Sequence, residues 1–126
     1  MMISDIKITD IHISIAEVLL ECLKTSRNEL ITYTDLSNRI GGYPDKRNLD
    51  PYLEELSLIC QRNGMPYISS IVINYDTKIP GNGYFKVFFS HIKNKEDQFI
   101  EWSMYIKEVF NYSNWTSLNK ILHIPE

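Results

Sequence analysis

Apolar side chains recur along this chain at two different spacings, and the spacing predicts which segments are helices. Across residues 11–23 they fall three and four positions apart, which predicts an amphipathic helix with Thr9 or Asp10 as its cap. A second stripe of this spacing, rich in aromatic residues, predicts a long helix over residues 96–112. The tail beyond it, residues 113–126, has enough apolar positions to pack as a short helix or strand.

Two more helices are predicted between these. Residues 30–33 have strand-forming side chains, and Thr34 then caps a short helix over residues 35–40 that Gly41-Gly42 ends. A third helix begins near residues 48–51. There Asp50 is a good cap, and Pro51 suits the first turn because its missing amide proton costs nothing there.

The segment that follows predicts a β-hairpin. Residues 67–75 are almost continuously apolar and rich in strand formers, and residues 84–89 form a second run of this kind. The polar residues 75–83 between them include two glycines, which predicts a mobile tip.

This order of elements predicts a winged helix-turn-helix. Three helices bury their apolar stripes on one another, the hairpin covers one open side, and the third helix stays partly exposed to meet a partner. In DNA-binding versions the third helix enters the major groove and the wing touches the backbone. We therefore expect an α+β fold with a winged-helix core and an added C-terminal amphipathic helix, in one domain spanning residues 1–126.

Composition is typical of a globular protein, with 44% hydrophobic and 23% charged residues. The net charge of −3 has the wrong sign for binding phosphates, although a local basic patch is compatible with it. Cys22 and Cys60 lie in apolar helical patterns, which favours buried free thiols. Charged residues among the N-terminal isoleucines are unlike a signal peptide, so we expect a cytoplasmic protein without membrane association.

No set of residues in the sequence is typical of an enzyme. His12, His91 and His123 lack metal-ligand spacing, and Ser69 and Ser70 lack the pattern around a hydrolase nucleophile. We therefore expect no catalytic residues, no metal and no cofactor.

The candidate contact residues surround the start of the third helix and the hairpin tip. Asp50, Glu54 and Glu55 share that helix, which favours a solvated face of mixed charge over nucleic-acid contact, with a salt bridge to a protein partner as a third alternative. The tip is likewise compatible with an ordinary loop. The predicted contacts are Lys46, Arg47, Asn48, Tyr52, Lys78 and Asn82.

Short motifs give one resemblance. The segments ITYTDL (31–36), RIG (39–41), RNL (47–49), NGMP (63–66) and IPGNGY (79–84) resemble, in relative position, the winged-helix DNA-binding domain of alkylguanine-DNA alkyltransferases. The resemblance covers about residues 30–85 and implies a DNA-binding fold.

The catalytic motif of that family is absent. Its Pro-Cys-His-Arg run corresponds here to Pro66 followed by Tyr67, Ile68 and Ser69, so alkyl transfer has neither nucleophile nor base. Tyr67 stands where non-catalytic alkyltransferase-like relatives carry another bulky residue. A tyrosine of the core or of an interface is the alternative.

A second resemblance covers most of the chain. The segments GMP (64–66), IVIN (71–74) and PGNGYF (80–85), followed by a helix with Glu101-Trp102, look like small uncharacterised proteins of bacterial and phage mobile elements. This resemblance implies a setting of DNA transactions or host–phage conflict.

The leading hypothesis is a non-enzymatic binding module that acts on double-stranded DNA or on a DNA-handling protein in such a setting. The alternative is a phage-borne inhibitor of a host defence nuclease, of anti-CRISPR type, acting by protein contact or nucleic-acid mimicry. A small enzyme with an unfamiliar pocket near Tyr67 is a third hypothesis. Tyr105, Tyr112 and Trp115 are either core residues or interface anchors, and a homodimer remains open.

Overall fold

The computed structural model describes residues 6–24 and 28–124, which form a mostly helical α+β fold with a small parallel sheet. The prediction of an α+β class is confirmed. The helices are α1 (Asp10–Lys24), α2 (Tyr33–Arg39), α3 (Asp50–Arg62), α4 (Asn82–Phe88), α5 (Lys95–Asn111) and α6 (Ser117–Leu122). The other elements are strands β1 (Ile31–Thr32) and β2 (Val72–Ile73), a first 3-10 turn (Lys46–Asn48) and a second 3-10 turn (Ile68–Ile71).

The helices predicted from long apolar stripes are confirmed. At the start of α1 the Thr9 hydroxyl accepts a hydrogen bond from the backbone N–H of His12 at 3.4 Å. The predicted end of this helix, at residues 25–28, lies largely outside the described residues. The C-terminal tail forms the short helix α6, one of its two predicted conformations.

Both caps predicted for the middle helices are wrong. The α2 helix begins at Tyr33, because the Thr32 hydroxyl accepts from the backbone N–H of Asp35 at 3.0 Å and so caps it. In α3 the preceding residue is Leu49, and Asp50 is the first helical residue. A carboxylate in a first turn is favoured by the helix dipole, so Asp50 still suits its position.

The predicted strand over residues 67–75 is mostly wrong. Within this range only β2 forms a strand, and it pairs in parallel with β1, with Ile31 opposite Val72. The preceding residues instead make the second 3-10 turn, because two serines within the apolar run find hydrogen-bond partners on neighbouring helices. Ser69 bonds with Ser57 at 2.6 Å, and Ser70 bonds with the Tyr84 hydroxyl at 2.6 Å.

The predicted returning strand over residues 84–89 is wrong, and so is the hairpin wing, because these residues belong largely to α4. The aromatic side chains here repeat at four-residue spacing, which brings Tyr84 beside Phe88 and Phe85 beside Phe89 on a helix. Strand propensity therefore gave way to packing, since one face of α4 buries these rings against the core.

The core surrounds α3, which contacts α1, α4 and the second 3-10 turn. From residue 52 to residue 60 every side chain of α3 is buried or half-buried. The sequence predicts a third helix that stays partly exposed to meet a partner, and its exposed residues lie at its two ends. The largest fully buried side chains are Ile15, Leu19, Leu20, Leu36, Leu49, Leu56, Ile68, Ile71, Leu118, Val72, Val109 and Cys60.

Candidate functional site

A groove of about 900 Å³ crosses the molecule where the first turns of three helices meet. One wall is formed by the start of α2, the first 3-10 turn and the start of α3. The other wall is formed by the residues after β2 and the start of α4. Its lining residues are Thr32, Tyr33, Thr34, Asp35, Asn38, Lys46, Arg47, Asp50, Asn74, Tyr75, Asp76, Thr77, Gly81, Asn82 and Gly83.

Tyr33 ties the two walls together. Its ring is buried, and its hydroxyl oxygen accepts a hydrogen bond from the backbone N–H of Gly81 at 3.0 Å. Burial, together with the nearby carboxylate of Asp50, raises the pKa of Tyr33 well above its ordinary value. The phenol therefore stays protonated and works as a fixed structural link across the groove.

Asp50 places a carboxylate beside this link. Burial of the carboxylate raises the pKa of Asp50, and hydrogen bonding with the Tyr33 hydroxyl lowers it in part. Gly83 makes room for the side chain, since a Cβ at that position would lie 2.9 Å from Oδ2 of Asp50. The groove thus contains one partly desolvated acid next to a glycine.

The basic wall is shaped by a local cap. Oδ1 of Asp45 accepts from the backbone N–H of Arg47 at 2.9 Å and from Nδ2 of Asn48 at 3.2 Å. The Arg47 guanidinium lies 3.5 Å from Oδ2 of Asp45 and is 83% exposed, so this ion pair is loose. Lys46 is exposed beside it. Both cations on this wall are therefore accessible to a ligand.

The opposite wall ends in an aromatic and cationic rim. Tyr75 is 71% exposed, and the Lys78 ammonium lies 4.1 Å from the centre of its ring. A tight turn holds both residues, because Asn74 accepts from the backbone N–H of Lys78 at 2.9 Å and donates its own N–H to Ile79 at 2.9 Å. Lys78 has a positive φ of 64°, which the turn requires.

The segment predicted as a hairpin tip is anchored at its far end. Pro80 is buried, Ile79 is half-buried, and the Gly81 N–H bonds to Tyr33. The residues that follow the turn therefore anchor this wall of the groove to the core.

Four of the six predicted contact residues lie at the groove, and two do not contribute to it. Lys46, Arg47 and Asn82 line the groove, and Lys78 stands at its rim over Tyr75. Asn48 is exposed, but its side-chain amide donates to the Asp45 cap.

Tyr52 is not part of this surface. It packs edge-on against the His12 ring of α1, with the ring centres 5.0 Å apart. His12 in turn bonds to Glu55 at 2.9 Å, so these residues join α1 to α3. Glu55 is thereby directed away from the groove. One of the three carboxylates that would repel nucleic acid in the sequence-based prediction is therefore not at this surface.

Sequence reasoning missed Tyr33, Asp50 and Tyr75 as site residues. Tyr75 carried a usable signal, because a tyrosine bordering a polar turn is often exposed. Tyr33 and Asp50 carried no such signal, because Tyr33 resembled a strand residue and Asp50 resembled a helix cap. Their proximity depends on the parallel strand pair, which the sequence did not predict.

Tyr67 lies away from the groove, in an aromatic cluster. Its ring stacks on Phe88 with centres 4.2 Å apart, and its backbone N–H donates to the Tyr105 hydroxyl at 2.8 Å. Of the other aromatic residues whose role was open, Trp115 is buried and Tyr112 packs edge-on against it. These contacts favour packing as the role of all four side chains.

The groove offers hydrogen bonds and charge of both signs. No cysteine, histidine or serine is among its lining residues. Burial raises the pKa of Cys60 to about 12 and also raises that of Cys22, which leaves both thiols protonated. Among residues 6–24 and 28–124, no three His, Cys, Asp or Glu side chains are grouped to hold a metal ion. The lining side chains of the groove supply carboxylates, cations, amides and hydroxyls.

No helix in the described part of the chain is both long enough and apolar enough to span a membrane. Comparison of the chain with protein families, with curated proteins and with solved structures gives no match.

Proposed function

We propose that this chain is a non-enzymatic binding module whose groove docks on double-stranded DNA. The observation that carries the proposal is that Lys46, Arg47 and Asn82 line one groove and Lys78 stands at its rim, although these residues come from two separate chain segments. Lys and Arg neutralise phosphates, and amide side chains bond to sugars, phosphates and base edges.

In this proposal α2 and α3 act as a helix-turn-helix that approaches its ligand end-on. The first turn of α3 and the preceding 3-10 turn supply the contacts, which is compatible with the burial of residues 52–60. Recognition helices of this class often contact bases through their N-terminal residues. The 74–83 segment, which is not a hairpin, contacts the DNA backbone in this proposal through Lys78 at the rim of the groove.

The test is a titration of a labelled DNA duplex with the wild-type chain and with Lys46→Ala/Arg47→Ala, at several salt concentrations. The double variant should bind more weakly, and its log–log salt slope should be smaller by about 2, since each phosphate contact contributes about 0.9. The matched control is Lys93→Ala/Lys120→Ala, which removes two exposed lysines that do not line the groove. Equal affinity and slope in all three proteins would overturn the proposal.

One feature of the same groove favours a second candidate function. Asp35, Asp50 and Asp76 line it together with the cations. An acidic surface can occupy a channel that normally binds nucleic-acid phosphates. A phage-borne inhibitor of a host defence nuclease, of anti-CRISPR type, would use these three carboxylates in that way. The second function would be selected over the first by three results together. The wild-type chain would co-purify with the nuclease, Asp35→Asn/Asp76→Asn would not, and the wild-type chain would not bind DNA.

A further inference from the structure

The outer face of α5 exposes apolar side chains that the fold does not use. Trp102, Ile106 and Val109 are directed into the core, whereas Ile100 is 53% exposed and Met104 is 61% exposed. At 100° per residue, these two side chains lie almost opposite the buried face. They therefore occupy the middle of the solvent-facing side of a helix of 17 residues.

The residues in line with them have coiled-coil spacing. Positions separated alternately by three and four residues lie along one edge of a helix and form a seam against a second helix. We call this row the α5 seam. It consists of Asp97, Ile100, Met104, Lys107 and Asn111.

The α5 seam is complementary to itself in one orientation only. When two copies of α5 run antiparallel about a point near residue 102, Ile100 meets Met104 of the second copy, and Asp97 meets Lys107. Each contact then occurs twice because of the two-fold symmetry. A parallel arrangement would instead set Asp97 against Asp97 and Lys107 against Lys107.

The charged ends of the α5 seam are available for this pairing. Among the described residues neither Asp97 nor Lys107 makes an ion pair within 4.0 Å. Oδ2 of Asp97 accepts a hydrogen bond at 3.0 Å from Nδ2 of Asn94, the residue that caps α5, and the backbone N–H of Asp97 donates to Oδ1 of Asn94 at 2.8 Å. The bond to Oδ2 fixes the carboxylate at the start of the helix and leaves its remaining lone pairs exposed.

We propose that the α5 seam is a docking surface for a second copy of this chain, which forms an antiparallel helix pair. The charge order of the seam selects this occupant, because the same helix supplies both the acidic and the basic partner. Only two apolar side chains per copy enter the contact, so the dimer is weak and depends on concentration. This inference does not depend on the function of the groove.

The experiment is sedimentation equilibrium of the whole chain and of two charge-reversal variants. The wild-type average mass should rise with concentration from the monomer value of 14.8 kDa towards twice that value. Asp97→Lys alone and Lys107→Asp alone should each weaken self-association roughly tenfold, because both ion pairs become like-charge contacts. An equimolar mixture of the two variants should recover association, since the mixed pair restores both attractions.

The control is Lys120→Asp, which makes the same change of charge as Lys107→Asp on α6 and should associate like the wild type. A wild-type chain that stays monomeric at every concentration would overturn the proposal. So would undiminished association of either single variant, or a mixture no more associated than its components. Circular dichroism of each variant verifies that reversal of Asp97 has not unfolded α5.

Discussion

The middle of α3 and its first turn have very different surroundings. In the middle, Ser57 bonds to Ser69, and Ser70 of the adjoining 3-10 turn bonds to Tyr84 and to the Trp102 indole at 2.9 Å. At its first turn, by contrast, polar side chains face an open groove. Among the described residues no buried side-chain nitrogen or oxygen lacks a hydrogen-bond partner.

One helix therefore serves two purposes. Its buried part holds α1, α4 and the second 3-10 turn together, and this packing fixes the first turn against the 74–83 segment. Changes in the buried part should therefore reduce the stability of the fold, and changes at the groove should alter binding with little effect on stability. The following substitutions test this division.

The largest expected effect is that of Trp102→Ala. The indole is 6% exposed and donates to the Ser70 carbonyl, so its removal leaves a cavity and an unpaired acceptor. We expect the free energy of unfolding to fall by about 3–5 kcal/mol, measured by urea denaturation. A loss below about 1 kcal/mol would mean that α5 is not an integral part of the core.

A smaller effect is expected at the buried hydroxyl pair of Ser70 and Tyr84. Burial raises the pKa of Tyr84 far above its ordinary value, so the pair is neutral. Ser70→Ala leaves the tyrosine hydroxyl without its partner and should cost about 1–3 kcal/mol. The double variant Ser70→Ala/Tyr84→Phe should cost less than the sum of the single variants, in a double-mutant cycle of unfolding free energies. Strict additivity would show that the two hydroxyls do not interact.

At the groove, Asp50→Asn should have a small effect that depends on pH. Because the folded-state pKa of Asp50 is raised, the wild type loses stability as pH rises from about 3.8 through that pKa, and the loss is constant above it. The stability of the variant relative to wild type should therefore increase over this range. The increase should stay below about 1 kcal/mol, because the carboxylate is only partly desolvated and Asp50 as a residue remains exposed to solvent that screens its charge. Chemical denaturation at a series of pH values measures it, and an opposite slope would contradict the direction of the pKa shift.

The smallest effect on stability is expected for Lys46→Ala/Arg47→Ala. Both side chains are exposed, and the only ion pair that they make in the described residues is the loose one between Arg47 and Asp45. The free energy of unfolding should change by no more than about 0.5 kcal/mol, while DNA binding falls. A large destabilisation would show that the basic wall is part of the scaffold.

Much of the helical framework follows from sequence alone. The stripes of α1, α3 and α5 are long, and their periodicity predicts both their existence and their buried faces. Lys46 and Arg47 are predicted as contacts from their place in the turn before the third helix, whereas Asn82 is predicted from a hairpin tip where the structure has the start of α4. The partner of this surface stays a prediction.

The remaining fold depends on contacts between distant residues. Residues 68–71 and 84–88 have the composition of strands, but Ser69, Ser70 and the aromatic rings of α4 gain more from tertiary hydrogen bonds and packing. The parallel pairing of β1 with β2 then brings the 74–83 segment beside Tyr33. No local pattern contains that information.

The docking of the groove on DNA is tested most directly by NMR, by following the backbone amide chemical shifts as a short DNA duplex is added. The proposed docking of the groove predicts that the perturbed amides lie in residues 32–38, 46–50 and 74–83. Residues of α5 and α6 should change little. Perturbations confined to those two helices, or the absence of any perturbation on addition of excess duplex, would contradict the claim.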